Sequence, residues 1–254
     1  MINERIEDGI IIATFDYGKT NSITRETLGT LRSIVKKANE DDSIKGIVLT
    51  GAGRTFSSGF DLPMFLGFKD RDEIIEFFYE EEEILIELFM CRKPVVSAIN
   101  GHAIAGGLLF AMATDYRIVK NHPKINLGMS EIKLGLPLSF AQSGILQFGL
   151  DSGKKFRDLI YFGGMMDVKA ALEFGIVDEI VDEAELLDRA KKIVSTWIDN
   201  PGRAFMKLKE GLKKSTADSI RQKIERENWQ DSLNCFFDPE VRTSLEFVMS
   251  MMKG

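Results

Sequence analysis

Residues 46–62 read GIVLTGAGRTFSSGFDL, and residues 94–109 read PVVSAINGHAIAGGLL. Each begins with a short apolar run of strand character, Gly46–Thr50 and Pro94–Ile99, and each then enters a glycine-bearing turn. Glycines at such points let the main chain turn sharply and let a ligand approach the backbone. In the second stretch Gly106 to Ala113 (GGLLFAMA) reads as a buried helix. The unpaired amides at its start carry the positive end of its dipole and face the turn. Two amides, one from each turn, can meet at one carbonyl oxygen. Such an oxyanion hole contributes about 3–4 kcal/mol per donor at a developing negative charge. Either turn alone is better explained as a tight strand–helix connection. The two together, in this order, point to function.

Outward from these turns the chain alternates strand and helix. Gly9–Asp16 is a β-branched apolar strand, and Leu28, Leu31, Ile34 and Val35 give Thr24–Lys37 one apolar helical face. That alternation predicts an α/β core with mainly parallel pairing. Arg71–Arg92 reads as a helix whose acidic run Glu81–Glu83 is expected to lie in solvent rather than on a metal. Beyond residue 183 only helices are expected: Glu183–Ile198, Gly202–Lys214, Asp218–Leu233 and Pro239–Met251. The chain therefore divides into an α/β core over 1–195 and a helical region over 196–254.

Composition excludes several classes. With 254 residues, 44% hydrophobic and 28% charged, this is an ordinary globular chain. A net charge of −6 argues against nucleic acid as the main partner, since phosphate neutralisation needs surplus cations. No apolar run reaches membrane-spanning length, and the polar start MINERIEDG has no leader character, so a cytoplasmic location is expected. Two cysteines, Cys91 and Cys235, suit reduced buried thiols better than a disulfide or a metal site. The methionines Met165, Met166, Met249, Met251 and Met252 are expected in adaptable packing rather than in a ligand pocket. His102 has no nucleophile-elbow serine to serve and is expected to be held by backbone.

With these residues in view, GAGRTFSSGFDL and NGHAIAGG resemble the two oxyanion turns of the crotonase (enoyl-CoA hydratase/isomerase) superfamily. The likeness continues through LGMSEIKLG at 127–135 and YFGGMMDVKAALEFGIV at 161–177. It implies a crotonase-like spiral of ββα repeats with a C-terminal helical oligomerisation region forming trimers or dimers of trimers. It implies an acyl-CoA thioester as substrate, with coenzyme A part of that substrate and no separate cofactor or metal. It further implies that the Phe60 and Gly106 amides hold the thioester oxygen, with Gly59, Asp61, Ala105, Gly107 and Leu109 beside the substrate. Where many members have glycine this chain has Ala105, a change expected to matter little.

The carboxylates select the reaction. Hydratases of the family carry two glutamates; here one position is Leu109 and the other Glu131. Leucine neither orients water nor moves a proton, so two-glutamate hydration is not expected. One carboxylate suffices to move a double bond, because the base that takes the proton becomes the acid that returns it. The pattern is similar to Δ3,Δ2-enoyl-CoA isomerases, and Leu109 is expected to form a dry wall around a buried, pKa-raised Glu131. The plain alternative makes Glu131 a surface residue in a helix turn capped by Ser130. Other enolate chemistry (hydration, decarboxylation, thioester hydrolysis) and a non-catalytic CoA-ester or RNA binder remain as alternatives.

Overall fold

The computed structural model describes residues 1–253, with side chains described through Met251. In chain order its regular elements are β1 (Ile2–Glu7), β2 (Ile10–Phe15), α1 (Arg25–Glu40), β3 (Gly46–Gly51) and β4 (Thr55–Ser57). Then come α2 (Leu62–Gly67), α3 (Arg71–Phe89), β5 (Val95–Ile99), β6 (His102–Ile104) and α4 (Gly106–Met112). Next are β7 (Tyr116–Lys120), β8 (Leu127–Gly128), α5 (Phe140–Phe148), α6 (Gly153–Phe162), β9 (Met165–Met166), α7 (Val168–Phe174) and β10 (Glu179–Val181). The tail holds α8 (Leu186–Ile198), α9 (Phe205–Arg226) and α10 (Pro239–Lys253).

Six strands form one sheet in the order β1-β2-β3-β5-β7-β10, and four short ones a second, β4-β6-β8-β9. Pairing is parallel except for the β1/β2 hairpin and the β8/β9 edge. Successive turns of the chain lay one strand in the large sheet, one in the small sheet, then cross back through a helix. This is the ββα spiral the resemblance implies. Both glycine turns stand where the chain passes from large sheet to small sheet to helix. β1 escapes sequence reading because INERIE is an exposed edge strand with a single buried residue, Ile2.

The glycines hold these turns together by close approach. A methyl on Gly101 would strike the Arg54 carbonyl, and one on Gly107 would strike the Ser57 carbonyl. Ser57 spends its hydroxyl locally, donating to the Asn21 carbonyl (2.8 Å) and accepting from the Gly59 N–H (3.2 Å). His102 accepts from the Asn126 N–H at Nδ1, 3.2 Å.

Two expectations are corrected. Glu81 and Glu82 are fully buried rather than solvated. The reason is that α3 is apolar nearly all round in its second half, through Ile84, Leu85, Ile86, Leu88 and Phe89, and α5 packs over the acidic side. The tail also differs: Gly202–Lys214 and Asp218–Leu233 are not two helices. One continuous α9 runs through Ser215 and Thr216, and Gln230–Phe237 is a 3-10 helix. Its anchor is ionic. Lys209 and Lys213 lie buried with their Nζ atoms 2.6 and 2.7 Å from the Asp115 carboxylate, which also accepts the Val95 N–H. α8 spans residue 195, where the sequence divides core from tail, and packs Leu186, Ala190, Ile193 and Val194 on the large sheet. Cys91 is buried and Cys235 half-buried, both free. Among the described residues no helix is long and apolar enough to cross a membrane.

Candidate active site

A cavity of about 250 Å³ opens between the two glycine turns and the segment that follows β8. Its walls are mostly hydrocarbon: Phe60 and Leu62 from the first turn, Ile104 and Ala105 from the second, and Leu134, Leu136 and Pro137. The inner end is closed by Phe65, Phe78 and Phe236, three buried aromatics in mutual contact, with Phe65 and Phe236 centroids 4.9 Å apart. Val248 of α10 completes it. Tail and core thus share the site.

Four polar side chains reach the cavity: Ser58, Ser130, Gln142 and Glu131. Glu131 alone is ionisable. It opens a 3-10 turn, Glu131–Leu134, that ends at Gly135 in a left-handed conformation (φ 72°). Ser130 makes no side-chain cap there, so the surface-helix alternative does not describe the residue. Its Oε2 is buried without a protein partner. Burial pushes the carboxyl up to about 7, opposed by backbone donors at Glu131 itself and Ser130. The Ser58 hydroxyl, on the first turn, is likewise buried and without a partner. Both orphaned atoms belong to residues that line the same apolar cavity.

Neither the Phe60 N–H nor the Gly106 N–H donates to a protein acceptor among the described residues. The turns touch at this point: a methyl on Gly59 (φ 95°) would come within 2.9 Å of the Gly106 nitrogen. A methyl on Gly106 would press on the Phe60 ring at 3.0 Å. The structure therefore brings Phe60, Gly59, Ala105, Gly106 and Glu131 together. It places Asp61, Gly107 and Leu109 elsewhere. The Asp61 carboxylate caps α2 by accepting the Met64 N–H at 2.9 Å. Gly107 packs on Ser57, and Leu109 is buried in the core rather than lining the cavity. The dry wall expected of Leu109 is supplied by Leu134, Leu136 and Ile104 instead. None of Met165, Met166, Met249 and Met251 lines the cavity; the Met252 side chain lies outside the described residues.

Ala105 is not the neutral replacement expected from sequence. It adopts φ 53°, ψ −130°, a conformation that suits glycine and strains a residue with a Cβ by about 1–3 kcal/mol. Ala105→Gly should raise stability by about 1 kcal/mol, read as a higher midpoint in urea at unchanged slope.

What sequence reasoning missed is the set of walls. Phe65 and Phe78 sit in α2 and α3, where their spacing says only that they are buried. Phe236 and Val248 come from the tail, more than 170 residues from Phe60, and no local signal ties them to a site.

The chain belongs to the enoyl-CoA hydratase/isomerase family, whose sequence model matches residues 5–242. It is 27% identical over 248 residues to the mitochondrial enoyl-CoA delta isomerase 1 of mouse, covering 96% of this chain and 84% of that one. It is also 25% identical over 249 residues to a probable enoyl-CoA hydratase of Bacillus subtilis, covering 93% and 95%. Among solved structures, human mitochondrial delta3-delta2-enoyl-CoA isomerase superposes with a TM-score of 0.88 at 26% identity, over 99% of this chain and 98% of that one.

Proposed function

We propose that this chain is a Δ3,Δ2-enoyl-CoA isomerase that shuttles one proton through Glu131. The observation that carries the reading is that, among the described residues, Glu131 is the single ionisable side chain lining a cavity whose other walls, Phe60 and Ala105 of the two glycine turns among them, are mostly hydrocarbon. In this reading the Phe60 and Gly106 amides receive the thioester oxygen as charge develops on it. Glu131 takes the C2 proton of a 3-enoyl thioester, the enolate delocalises toward C4, and the same carboxyl returns the proton at C4. One group serves as base and then acid, so its pKa near 7 matches the task in both directions. Water addition would need a second group to orient the water, and the family position for it holds buried Leu109. Likeness to both isomerases and hydratases makes the missing second carboxylate the deciding feature.

The substrate in this proposal is an acyl-CoA ester with an unsubstituted hydrocarbon chain, supported by the aromatic inner wall. Coenzyme A enters as part of the substrate, and no separate cofactor takes part. The same proposal includes a cytoplasmic setting and a homotrimer or dimer of trimers. Exposed apolar side chains such as Phe162, Leu208, Leu212 and Phe247 support the oligomer.

The direct test offers 3-hexenoyl-CoA and 2-hexenoyl-CoA separately and follows absorbance of the conjugated thioester. Conversion of the first, with hydration of the second at least a hundredfold slower, is the expected result. Fast hydration of the 2-enoyl ester would show that another group replaces the missing carboxylate.

A further inference from the structure

Glu81 and Glu82 are adjacent, both fully buried, and neither takes part in the proton shuttle. Their surroundings differ. Glu82 accepts two main-chain N–H groups at the start of α5, Phe140 on Oε1 at 3.0 Å and Ala141 on Oε2 at 2.7 Å. Two N–H donors, one on each oxygen, favour the acceptor-only, ionised form, while burial opposes it and pushes the group up to about 7. Glu81 accepts one bond, from Gln142 Nε2 at 3.0 Å, and its other oxygen has no partner. A second buried anion beside the first, with one donor, is far costlier than a neutral acid, so burial and the neighbouring Glu82 push the Glu81 carboxyl well above the usual carboxylate range.

The helix that Glu82 caps begins just after the segment that makes the site. Between Glu131 and α5 the main-chain hydrogen bonds among the described residues are short-range, Lys133 to Ser130, Gly135 to Ile132 and Leu136 to Glu131, followed by Pro137, while the 131–135 turn packs on α6 and α10. That segment carries Glu131 at one end and the cavity walls Leu134, Leu136 and Pro137 along its length. Its far end is fixed by α5, where Ser139 and Gln142 form a reciprocal cap. We infer that Glu82 is a positioning residue: its carboxylate pins the start of α5 and so sets the Glu131–Pro137 segment against the glycine turns.

The inference rests on the isomerase reading for its kinetic consequence, but its structural part is tested without substrate. Glu82→Gln presents an NH2 group to one of the two amides, whereas Glu81→Gln replaces a neutral acid by a neutral amide that still accepts from Gln142. The two isosteric changes, one residue apart, should therefore behave oppositely. At pH 8, E82Q should raise amide exchange over residues 134–142 at least tenfold and weaken hexanoyl-CoA binding at least tenfold by calorimetry. For 3-hexenoyl-CoA, KM should rise and kcat fall together. E81Q should stay within twofold of the unaltered protein on every measure. Ile193→Ala, in the separate cluster on the other face of the large sheet, supplies a destabilised control that should alter neither binding nor exchange over 134–142. E82Q indistinguishable from that control, or E81Q as damaging as E82Q, would overturn the inference. No turnover of 3-hexenoyl-CoA by the unaltered protein, with exchange and hexanoyl-CoA binding changed in E82Q as stated, would count against the isomerase reading and not against Glu82.

Discussion

Replacing Glu131 by glutamine is expected to lower kcat for the 3-enoyl to 2-enoyl conversion by about 10³-fold or more, at the upper end of general acid–base effects. The effect is large because in the proposed shuttle one group performs both proton transfers, and no other ionisable side chain among the described residues lines the cavity. Binding of hexanoyl-CoA should change by less than threefold, since glutamine keeps the shape. A mutant retaining a tenth of the activity would remove Glu131 from the chemistry. The same substitution should stabilise the fold in a pH-dependent manner. Burial raises the Glu131 carboxyl from its ordinary 4.5 to about 7, so the folded state binds its proton more tightly than the unfolded chain. The protein therefore loses stability as pH rises from about 4.5 to about 7, and carries the full penalty above that. At pH 8 Glu131→Gln should be more stable than the unaltered protein by about 2–3 kcal/mol, a difference that vanishes near pH 4. In the unaltered enzyme kcat/KM should fall tenfold per unit below about pH 7.

Gly107→Ala is expected to be among the most damaging single methyls. It would place a Cβ on the Ser57 carbonyl, main chain that is itself fixed by strand β4 and by the Ser57–Asn21 bond. Neither partner can rotate away, so α4 must separate from β4, at a cost of about 3 kcal/mol or more. That movement would carry the Gly106 N–H away from Phe60 and lower kcat by about 10²-fold, comparable to losing one oxyanion donor. Gly29→Ala, in α1 with nothing within 4 Å, is the matched control and should gain up to about 1 kcal/mol from helix propensity. Equal effects from the two would mean that close approach at Gly107 is not what joins the turns.

The sequence by itself determined the strand–helix alternation and the two glycine turns, because each is written in local pattern, and the family resemblance those turns carry implied the spiral. Apolar strands run straight into glycines whose lack of a side chain is required by backbone contact, as at Gly101 and Gly107. The replacement of one family carboxylate by Leu109 is a change of chemical type and needs no coordinates to read. Tertiary structure decided everything that depends on which distant faces meet. Glu81 and Glu82 look solvated by charge and spacing, yet α5 covers them and supplies the donors that make burial tolerable. Ala105 looks like a mild change until its φ of 53° places strain on it. Phe236 and Val248 carry no local mark of a site; they wall the cavity because α9, anchored by Lys209 and Lys213 on Asp115, returns the tail across the core. Local pattern records what a residue is and which way its own helix or strand points it. Burial, pKa and cavity shape are set by the partner surface, and that surface comes from elsewhere in the chain.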